Sequence, residues 1–201
     1  MSILAVAAAS GVGKSTFTRT FLRLVPNSTL LPSYTTRPLR GSEIEWRGVA
    51  EYYRLTPEEM FDRDDKNEFL RLFGAESHNY GSLYATRRDD FEAALASPHP
   101  HVAALFVPGV KLFFDEARKR NLMENMHAVH LTLDSEEERE RRLNRDNDRD
   151  PVRHEPELDK WKRLIAKAQE PIWELNATHN SPEALVHQAI NKFGFKTEEN
   201  A

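Results

Sequence analysis

Cysteine is absent from this chain of 201 residues, which excludes a disulfide framework and any zinc, haem or thiol chemistry based on cysteine. The absence also fits a reducing compartment. Long apolar runs are missing too. The first run, from Ile3 to Ala9, lacks the basic flank of a signal peptide, and none approaches the roughly 18 residues of a membrane-spanning helix. We therefore expect a cytoplasmic protein without a membrane partner.

Charge of one sign is not in excess, since 28 Lys and Arg residues stand against 32 Asp and Glu residues, a net charge of −4. This balance argues against nucleic acid as a partner. With 39 % apolar residues, a chain of this length suits one domain with at most a small insertion. It can bury roughly 70 % of the surface that the unfolded chain exposes. A structural metal is not needed for its stability.

Three short apolar runs are each followed by a helical pattern of apolar residues. The runs are 3–9, 102–107 and 128–133, and the helices that follow them are predicted at 15–25, 110–121 and 136–145. Capping patterns predict further helices from Thr56, Thr86 and Ser181. This alternation indicates an α/β fold, with a parallel sheet covered by helices. The segment 33–82, with short possible strands at 51–55 and 69–73, indicates a small inserted subdomain.

Glycine is scarce, with eight residues, yet two of them lie in one loop. Residues 8–15 have the sequence A-A-S-G-V-G-K-S, which matches the phosphate-loop pattern G-x-x-x-x-G-K-S/T except at Ala8. In such a loop the backbone N–H groups cradle phosphate oxygens, the lysine reaches the β- and γ-phosphates, and the hydroxyl binds Mg²⁺. We therefore predict an ATP site with Mg²⁺ on Ser15. Its residues are Ser10, Gly11, Val12, Gly13, Lys14, Ser15 and Thr16.

A second group of residues downstream also suits a phosphate. Arg37 and Arg40 stand beside Thr and Ser hydroxyls, and a guanidinium binds phosphate oxygens in a bidentate fashion. Taken alone, the two arginines would also suit a solvated basic turn. Tyr52 and the run N-Y-G-S at 79–82 follow, and tyrosine hydroxyls can complete the shell around a phosphate.

In this order and at these separations, the motifs resemble guanylate kinase. They are the phosphate loop, T-T-R with a second arginine and a glutamate, the tyrosine, N-Y-G-S, and K-R-L at 162–164. The resemblance covers roughly residues 3–190 and implies a P-loop nucleoside monophosphate kinase fold. The implied division is a core at 1–32 and 83–195, an acceptor-binding subdomain at 33–82, a lid at about 142–156 and a polar tail at 196–201. The implied ligands are ATP, Mg²⁺ and a nucleoside monophosphate, bound by a monomer or homodimer.

The resemblance also implies roles for individual residues. The implied catalytic residues are Lys14, Arg37, Arg149 and Arg163. The implied acceptor-binding residues are Ser33, Arg37, Arg40, Tyr52, Tyr80 and Ser82, and we predict that Arg71 joins them although it does not match the family. Lys14 and Mg²⁺ would neutralise the donor, and Arg163 would reach across both nucleotides. No histidine is assigned a catalytic role.

The chain departs from the guanylate kinase pattern at three places. Arg71 stands where the family has an acid that accepts from guanine N–H groups, and an arginine can only donate. Glu76 could replace that acid only if the local backbone shifts. The strand before Gly109 lacks the acids that help to organise Mg²⁺ in the family. The charged run at 142–149 keeps the arginines of the family's lid but not its glycines.

The sequence thus predicts reversible transfer of the γ-phosphoryl group of ATP to the phosphate of a nucleoside or deoxynucleoside monophosphate. Three alternatives stay open. The first is a kinase for another base, because arginine pairs well with carbonyl acceptors. The second is a ribose 1,5-bisphosphate phosphokinase, in which Arg71 would face a phosphate. The third is a non-catalytic guanylate-kinase-like interaction module, which the intact Lys14 and Ser15 argue against.

Overall fold

The computed structural model describes residues 2–9, 11–39, 44–73, 82–143 and 158–197. Its strands, in chain order, are β1 (Ile3–Ala8), β2 (Thr29–Leu30), β3 (Ser33–Thr35), β4 (Glu45–Trp46), β5 (Val49–Ala50), β6 (Tyr52–Arg54), β7 (Tyr84–Ala85), β8 (His101–Leu105), β9 (Met126–Thr132) and β10 (Ile172–Asn176). Its α-helices are α1 (Lys14–Leu24), α2 (Pro57–Asp65), α3 (Arg88–Ala96), α4 (Val107–Lys119), α5 (Glu136–Leu143), α6 (Leu158–Ala168) and α7 (Pro182–Phe193).

The main sheet has five parallel strands in the order β10-β9-β1-β8-β2, so β1 lies in the middle. All six residues of β1 are buried. Leu4 and Val6 belong to the core on one face of the sheet, and Ile3 and Ala5 belong to the core on the other face. A strand that is covered on both faces has no need of polar residues, which explains its continuous apolar run.

Helices cover both faces of this sheet. Phe17 and Phe21 of α1 and Val186 of α7 belong to one core, and Phe91 of α3 and Phe113 of α4 belong to the other. Each such side chain contributes about 1.5 to 3 kcal/mol when it is withdrawn from water. The predicted α/β class, a parallel sheet flanked by helices, is confirmed.

A smaller sheet forms beside the main one, in the order β6-β3-β7. Strand β3 is parallel to β6 and antiparallel to β7. Its own core consists of Tyr34, Met60, Phe69 and Ala85, and Met60 brings α2 onto the sheet. The hairpin β4–β5 lies in the same stretch of chain. This sheet falls in the segment expected to form the acceptor-binding subdomain, with β7 just beyond the expected boundary at residue 82.

Two of the predicted helix starts are confirmed. The hydroxyl of Thr56 accepts from the N–H of Glu59 at 3.2 Å, and the carboxylate of Glu59 accepts from the N–H of Thr56 at 2.7 Å. This reciprocal capping box begins α2. Ser181 caps α7 with its hydroxyl alone, which accepts from the N–H of Ala184 at 3.1 Å. Both helices have proline in the first turn, where its missing N–H costs no hydrogen bond.

The helix predicted at 110–121 begins three residues earlier than expected. Helix α4 begins at Val107, directly after β8, and holds Pro108 and Gly109 in its first turn. Proline and glycine usually mark turns, but a proline in the first turn of a helix removes a donor that the helix does not use.

Two further expectations are displaced. Helix α3 begins at Arg88, one residue later than a cap at Thr86 would place it. Thr86 is buried and does not cap the helix. The strand expected over 69–73 is wrong as a continuous element, because Phe69 and Phe73 form isolated bridges. Short irregular pairings of this kind leave no alternating pattern in a sequence.

The expected lid and tail fall largely outside the described residues. Helix α5 ends at Leu143, and the rest of the expected lid at 142–156 is not described. In the expected tail at 196–201, Thr197 is still buried, and the residues after it are not described. Within the described ranges, no helix is long and apolar enough to cross a bilayer.

Candidate functional site

The loop between β1 and α1 has a backbone suited to phosphate. Gly11 and Gly13 have φ angles of 83° and 113°, which glycine adopts without the penalty that a side chain brings. Val12 between them is 1 % exposed and packs in the main core, which holds the loop in place. Ala8, where the phosphate-loop pattern has glycine, is the last residue of β1. Its extended backbone accepts a side chain.

Lys14 and Ser15 lie in the first turn of α1, and both are partly buried. This turn contains no acidic residue of its own, and the positive end of the helix dipole faces the loop. First-turn N–H groups of a helix are not used in its own hydrogen bonding and point toward the loop, which favours an anion there. Thr16 is exposed, and Ser10 lies outside the described residues.

Three of the predicted acceptor residues lie together at the small sheet, two on its strands and one just after β3. Ser33 of β3 pairs with Tyr52 of β6, and the guanidinium carbon of Arg37 stands 4.7 Å from the centre of the Tyr52 ring. Arg37 is 8 % exposed. Its Nη1 donates to the carbonyl of Pro38 at 2.8 Å, and its backbone N–H donates to Thr35 Oγ1 at 3.2 Å. These contacts hold a cation against a tyrosine in a fixed orientation.

Ser82 is placed by the strand connection beside it. The N–H of Leu83 donates to Thr36 Oγ1 at 2.9 Å, and the N–H of Thr36 donates to the carbonyl of Leu83 at 3.1 Å. Ser82 is therefore brought next to the segment that carries Arg37. Arg40 and Tyr80 were predicted for the same site and lie outside the described residues.

Four aromatic rings, which we call the aromatic row, run between Arg37 and Arg71. Ring centres are 6.4 Å apart for Tyr52 and Tyr84, 6.3 Å for Tyr84 and Phe106, and 4.8 Å for Phe106 and Phe73. The guanidinium carbon of Arg71 stands 5.5 Å from the centre of the Phe73 ring, and Arg71 is exposed. A cation thus lies at each end of an apolar surface that reaches the carboxyl end of β8.

Phe106 stands directly after β8, at the edge where a carboxylate could have helped to hold a metal. In the part of the chain that the structure describes, no group of three or more His, Asp or Glu residues could hold a metal ion. The hydroxyl of Ser15 would hold Mg²⁺. One protein ligand fits this ion, which usually keeps waters and takes phosphate oxygens for the rest of its shell.

Arg163, predicted to reach across both nucleotides, is exposed on α6. Arg149, the other predicted catalytic arginine, lies outside the described residues, as does Glu76. The structure therefore describes the donor loop and part of the acceptor group. The roles of Arg149 and Arg163 stay predictions.

One residue at the phosphate loop was not singled out from the sequence. The side chain of Arg142, in the last turn of α5, donates to the carbonyl of Val12 at 3.2 Å. The two residues are 130 positions apart, and a lone arginine in a charged run gives no signal of its partner. Only the fold brings them together.

No family model matches the chain, but several curated relatives do. A guanylate kinase of Mesorhizobium japonicum is 44 % identical over 94 residues, which is 47 % of this chain and 40 % of that protein. A guanylate kinase of Nitrobacter winogradskyi is 31 % identical over 144 residues, 71 % of this chain and 60 % of that protein. The chain spans about two fifths of the length of the Mesorhizobium relative, and the same holds for a guanylate kinase of Agrobacterium fabrum.

Solved structures share the fold. Guanylate kinase from Anaplasma phagocytophilum superposes with a TM-score of 0.67 at 18 % identity, covering 96 % of this chain and 84 % of that one. A tunicamycin resistance protein of Deinococcus radiodurans superposes with a TM-score of 0.53 at 13 % identity, covering 98 % of this chain and 97 % of that one. At these identities the likeness concerns the arrangement of strands and helices.

Proposed function

We propose that this chain, which is guanylate kinase-like in sequence and fold, is an ATP-dependent kinase. It would transfer the γ-phosphoryl group of ATP to the phosphate of a nucleoside or deoxynucleoside monophosphate. The observation that carries the proposal is the glycine-bearing loop between β1 and α1, with Lys14 and Ser15 at the helix N-terminus. The Arg37–Tyr52 pair supplies a second place for a phosphate.

The reaction makes one bond and breaks one. An oxygen of the acceptor phosphate forms a bond to the γ-phosphorus, the bond from that phosphorus to the β–γ bridging oxygen breaks, and ADP leaves with the electron pair. Such a transfer needs positioning and charge neutralisation more than a covalent nucleophile. Lys14 and the loop amides would hold the donor phosphates, and Arg37 would hold the acceptor phosphate. Mg²⁺ on Ser15, when bound, would supply further neutralisation of the ATP charge.

Base recognition would differ from that of a guanylate kinase. Arg71 can only donate hydrogen bonds, so it suits a base edge that presents carbonyl acceptors. Its exposed guanidinium at the far end of the aromatic row also favours a second candidate acceptor, a ribose 1,5-bisphosphate. In that case Arg71 would meet the second phosphate.

Coupled ADP release with a panel of acceptors tests the activity. The panel contains GMP, dGMP, AMP, UMP, dTMP and ribose 1,5-bisphosphate, each with Mg²⁺ and ATP. We expect turnover with at least one member and a preference for an acceptor other than GMP. A preference for GMP would show that Arg71 does not face the base. Absence of turnover with every acceptor, together with absence of ATP binding, would leave the non-catalytic interaction module.

Lys14→Ala tests the donor site. Removal of the Lys14 ammonium should lower turnover at least about hundredfold, because the donor phosphates lose a fixed positive charge beside them. Lys66→Ala is the matched control, since Lys66 is exposed at the end of α2 and pairs with Asp62. Unchanged turnover of Lys14→Ala with intact folding would refute the assignment of the loop.

A further inference from the structure

The guanidinium of Arg142 joins three separate segments of the chain. Its Nη1 donates to the carbonyl of Val12 in the phosphate loop at 3.2 Å, and its Nη2 donates to the carbonyl of Ala177, directly after β10, at 2.9 Å. Its Nε donates to Glu138 Oε1, one turn earlier on α5, at 2.7 Å. The side chain is 27 % exposed, so these bonds are partly shielded from water.

Each partner is itself held in place. Val12 is 1 % exposed in the main core, and its N–H donates to the carbonyl of Ala9 at 3.4 Å. Ala177 is 4 % exposed, and its N–H donates to the carbonyl of Thr132 at 2.8 Å. The guanidinium therefore connects the phosphate loop to the carboxyl ends of two strands of the main sheet, β9 and β10, through rigid neighbours.

The bond to Val12 sets the direction of the next N–H group. The Val12–Gly13 peptide bond is trans, and in a planar trans peptide the carbonyl and the following N–H point in opposite directions. With the Val12 carbonyl turned toward Arg142, the Gly13 N–H points away from Arg142. Gly13, with φ of 113°, has no side chain to hold this peptide plane.

We infer that Arg142 is a positioning residue, which holds the Val12–Gly13 peptide so that the Gly13 N–H faces the bound phosphates. This inference rests on the proposed function, because it concerns the donor site of the same reaction. A lysine could not replace the arginine. The planar guanidinium presents N–H groups in three fixed directions, whereas an ammonium on a flexible stem cannot make the same three bonds at once.

The test measures Mg²⁺-ATP affinity by titration calorimetry for the wild type, Arg142→Lys and Arg142→Met. Both substitutions should weaken ATP binding by about tenfold to hundredfold and raise the KM for ATP, while the KM for the acceptor stays within about twofold. Arg142→Lys keeps the positive charge beside Glu138 but not the three hydrogen bonds of the guanidinium. It therefore distinguishes loss of these bonds from loss of folding.

Arg141→Met is the matched control. Arg141 donates to the same carboxylate of Glu138, at 2.7 and 2.8 Å, but its side chain is 58 % exposed, and among the described residues of the phosphate loop none accepts from it. Its ATP affinity should stay within about twofold of the wild type. Equal ATP affinity in Arg142→Lys, Arg142→Met and Arg141→Met would overturn the inference.

A second measurement does not depend on ATP binding. In a ¹⁵N-labelled protein, the amide resonance of Gly13 should move in Arg142→Lys and stay in place in Arg141→Met, without ligand. If the wild type failed to bind ATP, the proposed function would fall, and the Gly13 resonance would still decide whether Arg142 holds the peptide. An unmoved Gly13 resonance in Arg142→Lys would overturn the role of Arg142 by itself.

Discussion

We expect Arg71 to determine which acceptor the enzyme prefers. It stands exposed at the end of the aromatic row, and its guanidinium donates where a carboxylate would accept. We predict that Arg71→Glu raises kcat/KM for GMP by about tenfold or more relative to the acceptor preferred by the wild type, since guanine offers N–H donors. The acceptor panel with coupled ADP release measures this change.

Arg47→Glu serves as the control for Arg71→Glu. Arg47 is also exposed and also stacks on an aromatic ring, with its guanidinium carbon 5.8 Å from the centre of Trp46, but it lies in the β4–β5 hairpin. Its acceptor profile should equal that of the wild type. An identical profile for both variants would mean that Arg71 takes no part in choosing the acceptor.

His130 should make the stability of the fold depend on pH. It is 1 % exposed in β9, and burial lowers its pKa below the ordinary 6.5, although Glu174, 3.6 Å away, pulls in the opposite direction. Between the two pKa values the unfolded chain binds more protons than the folded chain. The free energy of unfolding should therefore fall as pH drops below about 6.5, by at most about 1.4 kcal/mol per pH unit, and level off below the folded pKa.

Urea denaturation between pH 7.5 and 5 measures this dependence. His130→Gln should reduce the slope of the curve, because the glutamine side chain does not titrate, and the remaining slope would come from groups such as His101 and His127, whose pKa values burial also lowers. A curve of equal slope in wild type and His130→Gln would show that another group causes the dependence.

Among the elements, α2 depends on its first residue. Thr56 and Glu59 satisfy two backbone N–H groups reciprocally at the start of this helix. We predict that Thr56→Ala lowers the free energy of unfolding by about 1 kcal/mol, which urea denaturation at pH 7.5 would measure. Thr56→Ser keeps the hydroxyl and should lose less than half of that amount. Equal losses in the two variants would assign the effect to the methyl group instead of the cap.

How far the sequence predicts an element depends on how local its causes are. The strand–loop–helix unit from Ile3 to Leu24 follows from a short apolar run, two glycines and a helical pattern, so its type and place were predicted to within about two residues. The fold around Pro108 was misread because proline marks both turns and helix starts. The contact between Arg142 and Val12 has no local cause in the sequence. The two residues are 130 positions apart and meet only because the strands and helices between them pack together.

The residues of the candidate site also fall into those that the sequence predicted and those that it did not. Ser33, Arg37 and Tyr52 were predicted as a group. In the structure Ser33 and Tyr52 are paired across two strands, and Arg37, two residues after β3, lies against the Tyr52 ring. The aromatic row was not predicted, because Phe73, Tyr84 and Phe106 come from three different segments and meet only in the fold. Side chains that meet across sheets show no spacing in the sequence.

For the molecule as a whole, ATP should act as a stabiliser. A ligand that binds only the folded chain at about one hundred times its Kd adds about 2.7 kcal/mol to the free energy of unfolding. For a chain of this size that corresponds to a rise in Tm of about 5 to 10 °C. Thermal melting with Mg²⁺-ATP, compared with adenosine alone, measures the shift.

Lys14→Ala should lose most of this rise in Tm, and Lys66→Ala should keep it. The difference separates a nucleotide held at the phosphate loop from one held elsewhere. A full rise in Lys14→Ala would place the stabilising contact away from α1.

The central position of β1 has a consequence for how the chain matures. Its two neighbours in the sheet, β8 and β9, begin only at His101 and Met126. During synthesis on the ribosome, residues 3–8 must therefore wait for a first partner in the main sheet until residue 105 has emerged, and for the second until residue 132 has emerged. The loop beside them would gain its working shape at the end of folding. A chain cut short before β9 would leave one edge of the apolar strand β1 unpaired, and such an edge favours aggregation.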